Sequence, residues 1–180
     1  MKALSYRRKS AQRGRIPSAS VVAGVLLLTS CYSAFAETDV ERGQYLVTIG
    51  GCNDCHTRGY FLGNPDQNRF LGGSDVGFFV PNLGAFVGPN LTPDNETGLG
   101  TWSKDDIVNA LQKGITPDGR ELAPVMPWRA FAKLRKSDVY AIAAYLKSLP
   151  IVKNQVAGPF GPTQKLSIPV LRVVAPDNAN

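Results

Sequence analysis

The sequence predicts an all-α fold in which about three main helices are joined by long irregular loops. Three segments carry apolar residues at helical spacing, and each has start and stop residues typical of a helix. The stretch 57–101, between the first and second segments, is rich in Gly, Pro and Asn and has no helical period. The helices therefore form the predicted core, and the rest of the domain is predicted as loop.

The first helix is predicted over residues 38–49. Small or apolar residues at i, i+3 and i+7 share one face, namely Val40, Gly43 and Val47. Glu41 lies in the first turn, where the helix dipole favours a negative charge. Gly50 and Gly51 follow and are typical of a helix end.

The second helix begins after Ser103, whose hydroxyl and the Asp106 carboxylate have the spacing of a reciprocal cap. Its buried stripe is predicted to be Ile107, Ala110 and Leu111, and Gly114 ends it.

The third helix has the clearest period, and Ser137 is its predicted cap, followed by Asp138. Its apolar face is predicted to comprise Val139, Ile142, Ala143, Leu146 and Leu149. Pro150 terminates it because proline cannot continue a helix.

A structureless loop as long as 57–101 is unusual in a compact domain, so a large buried cofactor is expected to organise it. After residue 150 the chain contains four prolines and is predicted to lie extended over the surface. The expected organisation is a leader at 1–36, a main domain at 37–152 and an extended tail at 153–180.

The net charge of +6 comes from the leader. Six of the 20 Lys and Arg residues lie in the first fifteen positions, whereas all 14 Asp and Glu residues lie at or after Glu37. The segment from Glu37 onward is therefore neutral, which argues against a nucleic-acid-binding face.

A basic start and the apolar run 21–28 predict a signal peptide, exported by the Sec route to the periplasm. Three outcomes remain open. Cleavage after Ala36 follows an A-x-A site, Cys31 in Leu-Thr-Ser-Cys resembles a lipoprotein box, and the uncharged stretch 16–36 is long enough to stay as a membrane anchor.

The residues Cys52, Asn53, Asp54, Cys55 and His56 form a C-x-x-C-H motif, which is the attachment signature of a c-type haem. The two thiols are spaced to bond two vinyl groups on one porphyrin edge, and the imidazole is the expected proximal ligand of the iron. One covalent haem c is therefore predicted.

Three other interpretations of the motif account for it less well. A thioredoxin-type redox pair normally accompanies a βαβ pattern, which the sequence lacks. Zinc requires four ligands, and no second Cys or His cluster follows the leader. A structural disulfide would leave the only histidine of the chain incidental. The haem interpretation accounts for all three residues together.

The second axial ligand is predicted by elimination, because the chain has few residues that can bind haem iron. There is no second histidine, and Met1 leaves with any cleaved leader, which leaves Met126. Pro124 and Pro127 flank it and stiffen the loop, which suits a thioether held at a fixed distance from iron. The alternative is that Met126 fills the core.

From about Asp39 to Pro150 the chain resembles the class I mono-haem cytochromes c. It has their order of helix, C-x-x-C-H, a Gly-Pro-Asn-Leu turn, a middle helix, a Met between prolines and a last helix. Four stretches are more similar to bacterial cytochrome domains that serve periplasmic or membrane-bound dehydrogenases: 89–94, 100–103, 117–120 and 126–128.

The resemblance implies a cytochrome c fold and roles for individual residues. The carbonyl of Pro89 is expected to accept the Nδ1–H of His56, which fixes the tautomer. Trp102 is expected either to donate its indole N–H to a haem propionate or simply to pack as an aromatic. Gly43 is expected where the first and last helices cross.

The segment between His56 and Pro89 is longer than in small mitochondrial-type carriers. Its phenylalanines are expected either to cover the haem edge or to form a partner surface: Phe61, Phe70, Phe78 and Phe79.

With both axial positions filled, the protein is expected to be an electron carrier and not an enzyme. Its expected partners are a dehydrogenase-type donor and a respiratory acceptor, met transiently or within a complex, and no nucleic acid. The alternative is a haem enzyme or sensor with an open iron position, against which Met126 argues.

Overall fold

The structure, a computed structural model, describes residues 36–174, so residues 1–35 of the leader, including Cys31 of the predicted lipoprotein box, lie outside the described residues. Five helices occur within this range: α1 (Asp39–Ile49), α2 (Cys52–His56), α3 (Lys104–Lys113), α4 (Trp128–Phe131) and α5 (Lys136–Ser148). None of them is long and apolar enough to cross a bilayer.

The core is built where α1, α3 and α5 pack together. Its most deeply buried side chains include Val47 on α1, Ile107 on α3 and Val139 on α5, each no more than 2% exposed. Burying an aliphatic side chain of this size contributes about 1.5–3 kcal/mol relative to leaving it exposed. The three predicted main helices are therefore confirmed as the elements that hold the domain together.

The crossing of α1 and α5 depends on Gly43. A Cβ at this position would lie 2.0 Å from the backbone oxygen of Ala141 and 2.7 Å from the Cβ of Tyr145. Only a residue without a side chain permits so close an approach. Beside the crossing, the Arg42 guanidinium and the Asp138 carboxylate form an ion pair at 3.0 Å. The expected position of Gly43 is thus confirmed, whereas Val40 on the same predicted face is 39% exposed.

Local capping explains where two helices start. Ser103 accepts from the amide of Asp106 at 3.1 Å, and the Asp106 carboxylate accepts from the amide of Ser103 at 2.8 Å. Thr38 and Glu41 form the same reciprocal cap before α1. Helix α3 ends at Gly114, which has a left-handed φ of 70°. The predicted bounds of α3 are confirmed.

The predicted cap of α5 is wrong. The helix begins at Lys136 after Arg135, whose backbone is extended and which makes no capping hydrogen bond. Ser137 therefore lies inside the first turn. Helix starts are uncertain by one or two residues in a sequence pattern, and the earlier start still places Asp138 in the first turn, beside Arg42.

The prediction of an all-α fold is incomplete because the loops contain a small sheet. Strands β1 (Gly77–Val80), β2 (Gly84–Val87) and β3 (Val170–Arg172) form it in the order β2-β1-β3. Strand β1 pairs antiparallel with β2 and parallel with β3. Two short 3₁₀ turns, Tyr60–Leu62 and Gln67–Arg69, precede the sheet. Part of the loop 57–101 is therefore organised by strand pairing.

In the described residues the tail contains no helix and is a partner of this sheet. Phe160 and Ala85 exchange two backbone hydrogen bonds of 2.9 Å, and the Phe160 side chain is buried. The Arg172 guanidinium lies 4.2 Å from the centre of the Phe79 ring, and the Phe61 and Phe78 rings contact each other edge to face. Phe70 packs against the helical core. These aromatic residues hold the loop, the sheet and the tail together.

Candidate haem site

The C-x-x-C-H motif forms the short helix α2, which Gly51 starts with a left-handed φ of 65°. A helix places Cys52 and Cys55 three residues apart on neighbouring turns of one face. Both thiols are half-buried and are not joined in a disulfide. Within residues 36–174, no group of three or more His, Cys, Asp or Glu side chains is arranged to hold a metal ion.

Burial raises the pKa of the Cys52 thiol to about 11, and burial also raises the pKa of Cys55. Both side chains are therefore protonated thiols at neutral pH. Cysteines of thiol–disulfide oxidoreductases usually have the opposite property, a lowered pKa that supplies thiolate. The site thus lacks the electrostatics of a thioredoxin-type pair.

His56 is buried at the end of α2. Its Nδ1 lies 2.8 Å from the backbone oxygen of Pro89. A carbonyl oxygen can only accept, so Nδ1 must carry the hydrogen and donate it, which leaves the lone pair on Nε2. Burial lowers the pKa of the ring, and the bond to Pro89 opposes this to a smaller extent. The imidazole is therefore neutral with Nε2 able to bind a metal.

The loop that carries Pro89 lies directly against α2 because Gly88 has no side chain. A Cβ on Gly88 would lie 1.7 Å from the backbone oxygen of Cys55 and 3.3 Å from His56 Nδ1. The far side of the motif is held as well, since the amide of Gly73 donates to the backbone oxygen of His56 at 2.8 Å. The contact that the resemblance implies between His56 and Pro89 is present.

Met126 lies in a tight turn between α3 and α4. Its amide donates to the backbone oxygen of Ala123 at 2.9 Å, and its own backbone oxygen accepts from Trp128 at 2.8 Å. The Met126 side chain is half-buried and packs against the apolar core that Cys52 also contacts. Its role as a ligand stays a prediction.

Trp102 is half-buried and packs against the same core. Its segment is fixed by Lys147 of α5, whose ammonium group donates to the backbone oxygens of Leu99, Gly100 and Trp102 at 3.0, 2.8 and 3.0 Å. Within the described residues, the indole N–H of Trp102 donates no hydrogen bond. The side chain packs as an aromatic against the core, and its bond to a haem propionate stays a prediction.

An apolar cavity of about 150 Å³ lies beside Cys52. Side chains from α1, α3, α4 and α5 and from the chain after α4 line it, among them Leu46, Leu111, Phe131, Leu134 and Ile142. The residues present fit a c-type haem on three observations: two unpaired thiols on one helix, a neutral buried imidazole with a free Nε2, and apolar surface beside the first thiol.

Sequence reasoning missed three residues that shape this site: Gly88, Asn90 and Lys147. Gly88 and Asn90 stand on either side of Pro89 in the Gly-Pro-Asn-Leu turn, so the motif itself was the available signal. Nothing in the sequence pattern indicated the role of Lys147, because its three acceptors lie about 45 residues away in the sequence.

The sequence profile of the family described as Cytochrome c matches residues 40–150. Among curated proteins, the chain is 34% identical over 109 residues to the cytochrome c subunit of a quinone alcohol dehydrogenase from Gluconobacter oxydans. It is 32% identical over 130 residues to the cytochrome c subunit of gluconate 2-dehydrogenase from Pantoea cypripedii, and 30% identical over 112 residues to a diheme c-type cytochrome from Cereibacter sphaeroides.

These matches cover 61%, 69% and 62% of the chain. They cover only 21%, 27% and 36% of the respective relatives. The chain thus spans about a fifth to a third of the length of these curated relatives.

Proposed function

The chain belongs to the cytochrome c family, whose members transfer electrons, and we propose that it shuttles single electrons in the cell envelope through one covalent haem with His/Met ligation. The proposed donor is of the dehydrogenase type, and the proposed acceptor is respiratory. The observation that carries the proposal is the bond from His56 Nδ1 to Pro89, because it prepares Nε2 of a C-x-x-C-H histidine as a metal ligand.

Each residue of the site has a separate task in this proposal. Cys52 and Cys55 would hold the haem through thioether bonds, and His56 and Met126 would bind its iron. Pro89 fixes the tautomer and the orientation of His56. The bound haem supplies an iron that holds or releases one electron. With both His56 and Met126 bound to the iron, substrate would have no place on the metal, which favours a carrier over an enzyme.

A redox titration of the purified holoprotein tests this proposal. We expect a single transition with a slope of about 59 mV per tenfold change in the ratio of oxidised to reduced protein, as one electron requires. The α-band of the haem would report the two states. Two resolved transitions would contradict the single haem, and a protein without covalent haem would contradict the proposal as a whole.

We propose that the protein is exported by the Sec route and works in the periplasm. Residues 1–35 of the leader lie outside the described residues, so this rests on their sequence pattern. Intact mass should show a chain that begins at Glu37 and is recovered in periplasmic extracts. A detergent-soluble protein that Cys31→Ser releases would instead indicate a lipid anchor, and a full-length chain in the membrane would indicate an uncleaved anchor.

The proposed docking surface consists of four exposed basic residues around α4 and the start of α5, namely Arg129, Lys133, Arg135 and Lys136. None of them forms an ion pair within the described part of the chain. The acidic residues Asp94 and Glu96, in contrast, are engaged internally. Asp94 accepts from Thr97, which lowers its pKa, and Glu96 pairs with Lys153 at 2.6 Å. The uncompensated positive charge suits an acidic partner protein.

Electron transfer with an acidic partner should therefore slow as salt is added, because the Debye length is only about 8 Å at physiological ionic strength. The double variant Lys133→Gln/Arg135→Gln should lower the second-order rate at low salt by about tenfold and leave the high-salt rate unchanged. Stopped-flow spectroscopy measures both rates. Lys165→Gln, an exposed lysine of the tail, is the matched control. Rates that do not depend on salt would exclude electrostatic docking.

A further inference from the structure

Asn90 follows Pro89 directly, is only 1% exposed and uses its full hydrogen-bonding capacity. Its Nδ2 donates to the backbone oxygen of Val152 at 2.6 Å and to the Thr97 hydroxyl at 3.1 Å. Its Oδ1 accepts from the amide of Thr92 at 2.9 Å and from the Thr92 hydroxyl at 2.8 Å. A primary amide has two donor hydrogens and two acceptor lone pairs, so this side chain has one satisfied orientation.

One partner of Asn90, Val152, belongs to the chain that leaves α5, and the other two, Thr92 and Thr97, are themselves bonded to that chain. The amide of Val152 donates to the Thr92 hydroxyl at 3.1 Å, and the amide of Asn154 donates to the Thr97 hydroxyl at 3.0 Å. Helix α5 ends at Ser148, so Val152 follows within a few residues of a rigid element. The segment 151–154 therefore anchors Asn90 to the helical core.

Because of the geometry of the peptide bond, anchoring Asn90 also restrains the carbonyl group of Pro89, which contacts His56. The carbonyl group of Pro89 and the Cα of Asn90 lie in one rigid peptide plane. The ring of Pro89 fixes φ of that residue, so the orientation of this plane depends on ψ of Pro89 and φ of Asn90. Rotation of the Pro89 oxygen away from His56 would require Asn90 to move, and four hydrogen bonds of a buried amide oppose that movement.

We propose that Asn90, anchored by the segment 151–154, is a positioning residue that holds the Pro89 carbonyl in place to accept the Nδ1–H of His56. This inference rests on the proposed function, in which His56 is a ligand of the haem iron. The strength of the bond at Nδ1 sets how strongly the imidazole donates to the metal. The chain after α5 thereby tunes the proximal ligand, although it lies outside the matched family region 40–150.

Backbone bonds on both sides of the turn do not depend on the Asn90 side chain. The Gly88 oxygen accepts from the amide of Ser74 at 3.0 Å, and the amide of Leu91 donates to the Leu71 oxygen at 2.8 Å. Variants at position 90 should therefore keep the turn in place and change mainly its rigidity.

The test measures exchange of the His56 Nδ1 proton with solvent in the reduced, ¹⁵N-labelled holoprotein. Asn90→Ala should speed this exchange by on the order of tenfold, since the bond opens more often when its acceptor is loosened. Thr92→Val, which removes one hydroxyl at nearly constant shape, should speed it by a smaller factor. The midpoint potential should shift upward in both variants, because a weaker bond at Nδ1 makes the imidazole a poorer donor to ferric iron.

Asn154→Ala is the matched control. Its side-chain amide bridges the tail and the loop, through the Gly72 oxygen at 2.6 Å and the Arg69 guanidinium at 2.9 Å, but makes no hydrogen bond to residues 88–92. The backbone amide of residue 154, which bonds Thr97, is retained in this variant. This variant should leave the exchange rate at the wild-type value.

Four outcomes decide the matter. Faster exchange in the Asn90 and Thr92 variants but not in the Asn154 control supports the positioning role. Wild-type exchange in haem-loaded Asn90→Ala, or equal acceleration in all three variants, overturns it and leaves the proposed function intact. If Asn90→Ala yields no holoprotein, the comparison of Thr92→Val with the wild type decides: faster exchange of the His56 Nδ1 proton supports the positioning role, and an unchanged rate overturns it. A wild type without covalent haem would overturn the proposed function and this inference with it.

Discussion

Replacing both Cys52 and Cys55 with Ser is expected to abolish covalent haem attachment. The leader holds the only other cysteine, Cys31, so no further thiol is available in the domain from Glu37 onward to form a thioether. A Ser hydroxyl is a poor nucleophile toward a vinyl group and gives no stable substitute for the thioether. Haem staining after a denaturing gel measures the effect, and we expect complete loss of the band.

Two controls make this result specific. Cys31→Ser should keep the full haem stain, since Cys31 precedes the predicted domain. The single variant Cys52→Ser should retain at most one thioether, with reduced yield. A haem band that survives denaturation in the double variant would contradict the attachment at these two residues and, with it, the function proposed for the site.

The sequence predicted well what is decided locally. The reciprocal cap of Ser103 and Asp106 involves residues three apart, and its two backbone–side-chain bonds occur as expected. The position of Gly43 was predicted through the family resemblance, since one residue in one helix gives no geometric evidence for its partner. Local chemistry and family likeness therefore account for the helices and for the motif.

The parts that were missed depend on contacts between distant segments. Strand β1 pairs with residues 170–172, about ninety positions later, and neither partner has an alternating pattern that identifies it alone. The hairpin between β1 and β2 turns at Asn82, which has a left-handed φ of 64°, a conformation that Asn tolerates better than most residues. The hydrogen bond from Asn90 to Val152 spans 62 residues. Hydrophobic periodicity gives no information about pairs of residues that are so far apart in the sequence.

The Met126→Ala variant is expected to convert the carrier into a haem protein with an open axial position. The haem should stay attached, because Cys52 and Cys55 are unchanged. A thioether is a soft, neutral ligand that favours ferrous iron, so its loss should lower the midpoint potential. Carbon monoxide, which the wild type should exclude, is expected to bind the reduced variant. The weak near-infrared band of sulfur-to-iron charge transfer should be present in the oxidised wild type and absent from the variant.

Loss of packing alone cannot produce these changes. The Met126 side chain is half-buried, so truncation should cost about 1–2 kcal/mol of stability, which a thermal unfolding curve would record. Val125→Ala, a truncation of the 39%-exposed neighbouring residue, is the matched control and should keep the near-infrared band and the potential. If the wild type lacks that band and binds carbon monoxide readily at neutral pH, the sixth position is not held by Met126. In that case an open iron site explains the protein better than a carrier does, and the haem enzyme or sensor becomes the favoured function.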